Sequence, residues 1–460
     1  MFKLLLILTT ILTNNPFTQN ANIGALICDY HTGDTIHAYR HNAVIPPAST
    51  MKLLTTATAL DLWGSEHTFQ TPITYSGYIQ DSTLYGNLYI EGQGDPTLQS
   101  RHLGDTLLLQ HWAQRVHQAG IRHIQGSVIA DISAFDSEVT HPDWLWQDIG
   151  NYYAPGIFAL SYRDNTMRIT LRSGEQGSTA EVLETYPHIP DMQFDNHIRC
   201  TDISYDGAYV NGIPFSNYRH LVGEIPSNRQ TFTIMGDLPN PALLLAQDLT
   251  TTLKQHAITV SQAASYTQTK TNDFAQRSTI FVHHSLPLAQ IIQHTNQHSD
   301  NLYAEMLFRT LGAQKGEAGT INQSIQFIRQ YWEDKGIDLQ DARLLDGCGL
   351  APQDAISPAM HVQLLRYIYG SEHKDAFLQS LPCSGTSGTL KSFLKDTALH
   401  GKVYAKSGTI GGTRNYAGYI FLPDGRVWVF AVMISSANCK SSQIRQIIEE
   451  YLLHAYQANT

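Results

Sequence analysis

Hydrophobic and polar positions change period several times along the chain, and each change marks an element. An apolar run from Leu4 to Leu12, relieved only by Thr9 and Thr10, opens it. Residues from about Ile23 to Ala38 alternate as two strands around a turn at Thr32-Gly33-Asp34. Pro46-Pro47 ends the extended chain, and Ala48-Ser49 opens a helix to about Trp63 with Gly64 as its stop. From about Phe69 the segments are short and alternating, as in Ile73 to Ser76 and Leu84 to Ile90, and the turn Gly92-Gln93-Gly94-Asp95-Pro96 follows. A helix fits Leu107 to Ala119, and strands fit Gly126 to Ala130, Leu160 to Leu171, Thr179 to Leu183 and Gln230 to Met235. A helix from Ala242 to His256 ends this region. Helical periodicity returns at Leu286 to Asn296, and Ser299-Asp300-Asn301 stands just before a second helix to about Leu311. Ser357 reads as an N-cap with Pro358 at the first position of a helix to Tyr369. Three strands then fit Gly401 to Ile410, Asn415 to Leu422 and Val427 to Ser435, the last two joined by a turn at Asp424-Gly425; a helix from Ser442 to Tyr456 closes the pattern.

The first and last strands are expected to share one antiparallel sheet, built from both ends of the sequence. The expectation is an α/β domain, residues 22–68 and 279–460, interrupted by an α+β region at 69–278. No internal repeat or low-complexity linker appears. With Lys3 before it, the run Leu4 to Leu12 is too short to span a bilayer and fits the core of a secretory signal peptide, residues 1–21, with Ala21 as the expected cleavage site. The competing reading is a buried first strand. No later segment is long and apolar enough for a membrane helix, so the mature chain is expected to have no transmembrane segment.

Composition narrows the function. With 460 residues, 42% of them hydrophobic, the chain can build two or three cored domains. The net charge of −10 and the lack of a basic block argue against nucleic acid and against an anionic membrane surface. The cysteines, Cys28, Cys200, Cys348, Cys383 and Cys439, are odd in number and form no Cys-x-x-Cys pair, so zinc or a redox dithiol is not expected. Export would permit a disulfide between Cys348 and Cys383; buried free thiols are the expectation. His283-His284 and His294/His298 offer metal-ligand spacing, but no His-Glu-x-x-His accompanies them, and scattered surface histidines are expected instead. No metal or cofactor is expected. Gly92 and Gly94 lack the third glycine of a dinucleotide loop.

The chemistry concentrates at Ser49-Thr50-Met51-Lys52. Residues three apart share a helix face, so the lysine amine can reach the serine hydroxyl. A desolvated lysine, or one beside another cation, has a lowered pKa and can act as a base; a serine with such a base is a nucleophile. Alone the tetrad means little, since Ser371/Lys374 and Ser392/Lys395 repeat it. Two further motifs follow in order: Ser299-Asp300-Asn301 between helices, and Lys406-Ser407-Gly408-Thr409 on a strand, where the Lys-Ser/Thr-Gly pattern occurs only once in the chain.

This ordered set resembles the serine penicillin-binding proteins and β-lactamases. About 250 residues separate Ser49 from Ser299, far more than in class A β-lactamases. A long insertion there is similar to the low-molecular-mass class C penicillin-binding proteins, the D-Ala-D-Ala carboxypeptidase/endopeptidase family (peptidase family S13). Gly86 to Ile90, Gly92 to Pro96, Trp144 to Tyr153, Asp346 to Leu350, Gly385 to Leu390 and Asn415 to Tyr419 also resemble that family. The resemblance implies a transpeptidase-like domain split by two smaller inserted domains. It implies an exported, periplasmic serine D-Ala-D-Ala carboxypeptidase, also cutting D-Ala cross-links in peptidoglycan and acylated by β-lactams. Ser49 would be the nucleophile, Lys52 the base, Ser299 a proton relay, Asn301 a partner of Lys52 and substrate, and Lys406 with Ser407 the clamp on the substrate carboxylate. The N–H groups of Ser49 and Thr409, beside Gly408, would form the oxyanion hole. Asp148 and Tyr153 would read the stem peptide. Cys348 and Ala351-Pro352 depart from the family's usual loop, and Ser407 replaces the commoner threonine. The competing functions are a β-lactamase and a non-catalytic module that binds cell-wall peptide or β-lactam.

Overall fold

A computed structural model describes residues 2–313 and 317–459. The chain forms two compact units: the first holds Met1–His67, Pro287–Gly312 and Ile321–Thr460, the second Thr68–Leu286 with Ala313–Thr320.

In the first unit a five-stranded antiparallel sheet has β1 (Asn22–Asp29), β2 (Thr35–Tyr39), β3 (Val403–Ile410), β4 (Thr413–Phe421) and β5 (Val427–Ser435) in the order β3-β4-β5-β1-β2. The two ends of the sequence therefore meet at the β5–β1 pairing, Ile27 opposite Phe430. Every residue of β5 is buried, which is why Val427 to Ile434 reads as a continuous apolar run instead of an alternating one: both faces are covered.

Helix α1 (Phe2–Thr13) and the closing helix cover one face, where Ile444, Ile448, Tyr451 and Leu452 pack with Ile23, Ala25, Phe430, Val432 and Ile434. The run expected as a leader is helical in this fold. Leu8 and Leu12 are fully buried in the same cluster, and the Thr18 hydroxyl donates to the Leu12 carbonyl at 2.7 Å.

The other face carries the helices that matter for function: α2 (Met51–Trp63), α3 (Leu288–His298), α4 (Asn301–Gly312), α5 (Ile321–Glu333), α6 (Pro358–Gly370) and α7 (Lys374–Ser380); the closing helix is α8 (Ser441–Gln457). Helix α2 is buried on all sides from Met51 to Leu60. Its polar residues are consumed internally: Thr56 and Thr58 donate to the carbonyls of Lys52 and Leu54, and Thr55 to that of Gly347 at 2.6 Å. At α6 the Ser357 hydroxyl accepts the Met360 N–H at 3.2 Å, the expected cap. Helices α5 and α7 had no counterpart in the sequence reading; the apolar face of α5 is sparse, with Ile321, Ser324, Ile328 and Trp332 buried.

In the second unit, Gln70–Tyr75 lies between Leu88–Glu91 and Ser278–His284 in a five-stranded sheet completed by Val128–Asp131 and Ser265–Thr267. Ser278–His284 thus belongs with the inserted sheet, although the sequence boundary was drawn at 278/279. Helix Pro241–Gln255 opens on Asn240, whose side chain accepts the Leu243 N–H. A further sheet, in which Tyr218–Pro226 pairs with Gln193–Asn196, Arg199–Thr201 and Gly207–Asn211, lies in a stretch where the sequence suggested no strand. No helix of the described residues is long and apolar enough to cross a membrane. All five cysteines are free thiols, four of them buried.

Candidate active site

Ser49 sits on a single tight helical turn, Ala48–Thr50, that runs straight into α2. The Asn415 side-chain amide, on β4, donates to the carbonyls of both Pro46 and Pro47 at 2.8 Å, tying this turn to the sheet. Ala48 is held at φ 46°. For a residue with a side chain this region costs on the order of 1 kcal/mol, so the surrounding contacts must hold the turn in place.

Two glycines allow the close approach. A Cβ on Gly408 would stand 2.4 Å from the Pro47 oxygen and 3.1 Å from the Ser49 nitrogen. One on Gly349, at φ +79°, would stand 1.9 Å from the Ala48 oxygen. Strand β3 and the Asp346 to Ala351 loop therefore press against the Ser49 turn with bare backbone.

Lys52, one helical turn on, is fully buried and points its Nζ at three oxygens: Ser49 Oγ at 3.1 Å, Asn301 Oδ1 at 2.6 Å and the Cys348 carbonyl at 2.8 Å. Loss of hydration pushes its pKa down, against the raising pull of Asp346, Asp300 and Glu305. Two of the three partners, the amide oxygen and the backbone carbonyl, can only accept. A neutral amine has two N–H donors for them and one lone pair, and that lone pair is left facing the one partner that can donate, the Ser49 hydroxyl.

Ser299 ends α3 in the left-handed conformation, φ 59° and ψ 38°. This turns its hydroxyl to Lys406, whose Nζ donates to it at 2.8 Å and to the Ser407 carbonyl at 2.8 Å. Lys406 is also fully buried; burial first, then the charges of Lys52 and Arg414, hold its pKa well below the ordinary value. The Ser407 hydroxyl donates to Thr389 Oγ1 at 2.9 Å, and Arg414 bonds the Thr409 hydroxyl. Three distant stretches are thus brought together within the first unit as two neighbouring hydrogen-bonded groups, Lys52 with Ser49 and Asn301, and Lys406 with Ser299 and Ser407, close enough for the charge of Lys52 to act on Lys406. Asp148 and Tyr153 lie in the second unit and bond each other, Tyr153 Oη donating to Asp148 Oδ1 at 2.8 Å; burial raises both pKa values.

The sequence reading missed the acids behind Lys52. Glu305 follows Asn301 by one turn of α4, a spacing that places both on one face and was there to be read. Its Oε1 accepts the Gly347 N–H at 2.7 Å; burial, with Asp346 beside it, lifts its pKa to about 8. The Asp346 carboxylate accepts the N–H groups of Cys348, Gly349, Leu350 and Ala351, and so folds the loop that aims the Cys348 carbonyl at Lys52. Glu305, Asp346 and Cys348 group donor atoms tightly enough for a metal. These same oxygens are already taken by backbone N–H groups, so the cluster fits a loop staple and not an ion site.

Two histidine expectations change. His294 is buried, not on the surface: its ring bonds Asp300 Oδ2 at 3.1 Å and stacks on His298 at 4.6 Å, because its side of α3 packs beneath the start of α4. His283 is partly buried beside Trp112 in the second unit.

Comparison with known proteins agrees with this geometry. The chain is similar over 435 residues, at 27% identity, to a D-alanyl-D-alanine carboxypeptidase of Actinomadura sp. strain R39, covering 90% of this chain and 78% of that one. It is 22% identical over 421 residues to the D-alanyl-D-alanine carboxypeptidase DacB of Haemophilus influenzae, covering 91% and 86%. Among solved structures, penicillin binding protein 4 (dacB) of Haemophilus influenzae shares the fold with a TM-score of 0.81 at 21% identity, over 98% of both chains. The family described as D-Ala-D-Ala carboxypeptidase 3 (S13) matches residues 6–454, and to that family this chain belongs.

Proposed function

We propose that the chain is a serine D-alanyl-D-alanine carboxypeptidase acting through an acyl-enzyme on Ser49. One observation carries this reading: the buried Lys52 amine bonds Ser49 Oγ while its other two partners are obligate acceptors. A neutral Lys52 takes the Ser49 proton as Oγ attacks the carbonyl carbon of the penultimate D-Ala. The oxyanion forms in reach of the Ser49 and Thr409 backbone N–H groups, and losing one such donor typically costs about 3 kcal/mol of barrier. The C–N bond then breaks. The leaving D-Ala amine receives its proton from Lys52 by way of Ser299, and the peptide stays as an ester on Ser49. Water hydrolyses the ester with Lys52 again as base.

Lys406 and Ser407 bind the terminal carboxylate, the group a carboxypeptidase must recognise and a mid-chain peptide lacks. Asn301 orients Lys52 and the substrate amide. A β-lactam presents its strained amide and carboxylate to the same groups and remains as an ester on Ser49. The first unit is the catalytic domain, and Asp148 with Tyr153 in the second reads the stem peptide. Peptidoglycan is the polymeric substrate. Residues 1–21 act as an export leader, as the Lys3 and Leu4 to Leu12 pattern suggests, and the protein works in the periplasm. The N-terminal residue of the mature protein tests this: a chain retained from residue 2, with Leu8 and Leu12 in the core, overturns the leader.

Incubation with benzylpenicillin and intact mass measurement tests the mechanism. The expected result is one acyl adduct, mapped to Ser49, together with D-Ala release from a peptide ending in D-Ala-D-Ala. In Ser49→Ala both disappear. An adduct elsewhere, or D-Ala release surviving in that variant, overturns the reading.

A further inference from the structure

In the second unit, three metal-ligating side chains converge on one face of the Tyr218–Pro226 sheet. Gln193–Asn196 pairs with it in parallel, in a register that sets Asp195 directly beside His220. His197 follows Asp195 by two residues, so a chain continuing in extended form points both to the same face. Its position is fixed by the backbone, the His197 N–H donating to the Leu221 carbonyl at 2.8 Å. The ring nitrogens Nε2 of His197 and Nδ1 of His220 each lie 2.8 Å from a different oxygen of Asp195. The rings sit 5.3 Å apart, and one donor atom from each residue lies within 4.8 Å of the others.

An ion held by two nitrogens and an oxygen at about 2.0–2.2 Å requires ligand atoms that close together. All three side chains are partly open to solvent, which leaves coordination positions for water or an outside ligand.

We infer that Asp195, His197 and His220 form a binding site for a divalent transition metal of the zinc type, separate from the Ser49 cluster. Two imidazoles and one carboxylate suit Zn²⁺, Cu²⁺ or Ni²⁺; Mg²⁺ and Ca²⁺ prefer all-oxygen shells. The ion would sit where the two rings now bond Asp195, each neutral imidazole keeping its proton on the nitrogen that faces away and donating the lone pair of the other. The reading does not depend on the peptidase assignment.

The test is calorimetric titration of the full, chelator-stripped chain with Zn²⁺ alone. The expected result is saturable binding at pH 7.5, with one equivalent absent in the double variant His197→Ala/His220→Ala and its affinity weakened about tenfold or more in Asp195→Asn. Far-UV circular dichroism and thermal unfolding of each variant report separately that the chain is folded. If a folded double variant binds as many equivalents as the parent chain, or the parent binds none, the site does not exist. Should the double variant fail to fold, Asp195→Asn decides alone, and unchanged affinity there overturns the inference.

Discussion

The Nζ of Lys52 donates to Oδ1 of Asn301 at 2.6 Å, across 249 positions of sequence. This short bond fixes which way the amine points. With Asn301 and the Cys348 carbonyl consuming two N–H groups, the third tetrahedral direction is committed to Ser49. Asn301→Ala should therefore free the lysine to rotate, and acylation by benzylpenicillin is expected to slow by about 100-fold, within the usual range for general-base catalysis. Stopped-flow acylation kinetics measure it; an unchanged rate would remove Asn301 from the alignment of the base.

The lowered pKa of Lys52 has a direction that kinetics can read. Below its pKa the ammonium cannot take a proton, so acylation should rise with pH and level off once the amine is neutral. Burial moves that limb below the ordinary lysine value of 10.5. The rate of acylation across pH 5 to 10 is the measurement; a rate still climbing in parallel with the ordinary lysine titration would contradict a desolvated base.

Glu305 makes a different pH statement, about stability. Its folded pKa of about 8 lies above its ordinary value of 4.5. Between those values the folded state holds a proton that the unfolded chain has released, so stability is full below pH 4.5 and is lost as pH rises toward 8. Glu305→Gln keeps a neutral, similarly shaped side chain and should flatten this slope. Urea midpoints of both proteins at pH 5 and pH 8 check it, and an identical pH dependence would show that Glu305 titrates normally.

Gly408→Ala tests the bare-backbone contact between β3 and the Ser49 turn. The new Cβ, 2.4 Å from the Pro47 oxygen, must push the strand or the turn aside. A displacement approaching 1 Å costs on the order of 100-fold in rate. The expected outcome is a folded protein with strongly reduced acylation; full activity would mean the strand yields without moving Thr409.

Asn415→Ala removes both bonds to the Pro46 and Pro47 carbonyls and leaves the Ile434 N–H without its side-chain acceptor, all in a buried setting. Stranded buried polar groups cost about 1–3 kcal/mol each, so with three of them a loss of about 3 kcal/mol or more is expected in denaturant unfolding. Loss of acylation beyond that of unfolding would show that the tether also positions the nucleophile.

Local pattern determined a good part of this protein. The helix from Met51 to Trp63, the strands at the two ends of the chain, the capped start at Ser357 and the three motifs at Ser49, Ser299 and Lys406 all follow from short-range preferences and side-chain periodicity, which a sequence displays directly. Tertiary structure alone decided the rest. The polar threonines of α2 lie inside, because carbonyls above and below accept their protons. Glu305 and Asp346 stand behind Lys52, and Asp195 meets His220, only because folding brought separate segments into register. Whether a lysine is a cation or a base depends on the water removed around it, and desolvation is a property of the packed assembly that no stretch of residues carries by itself.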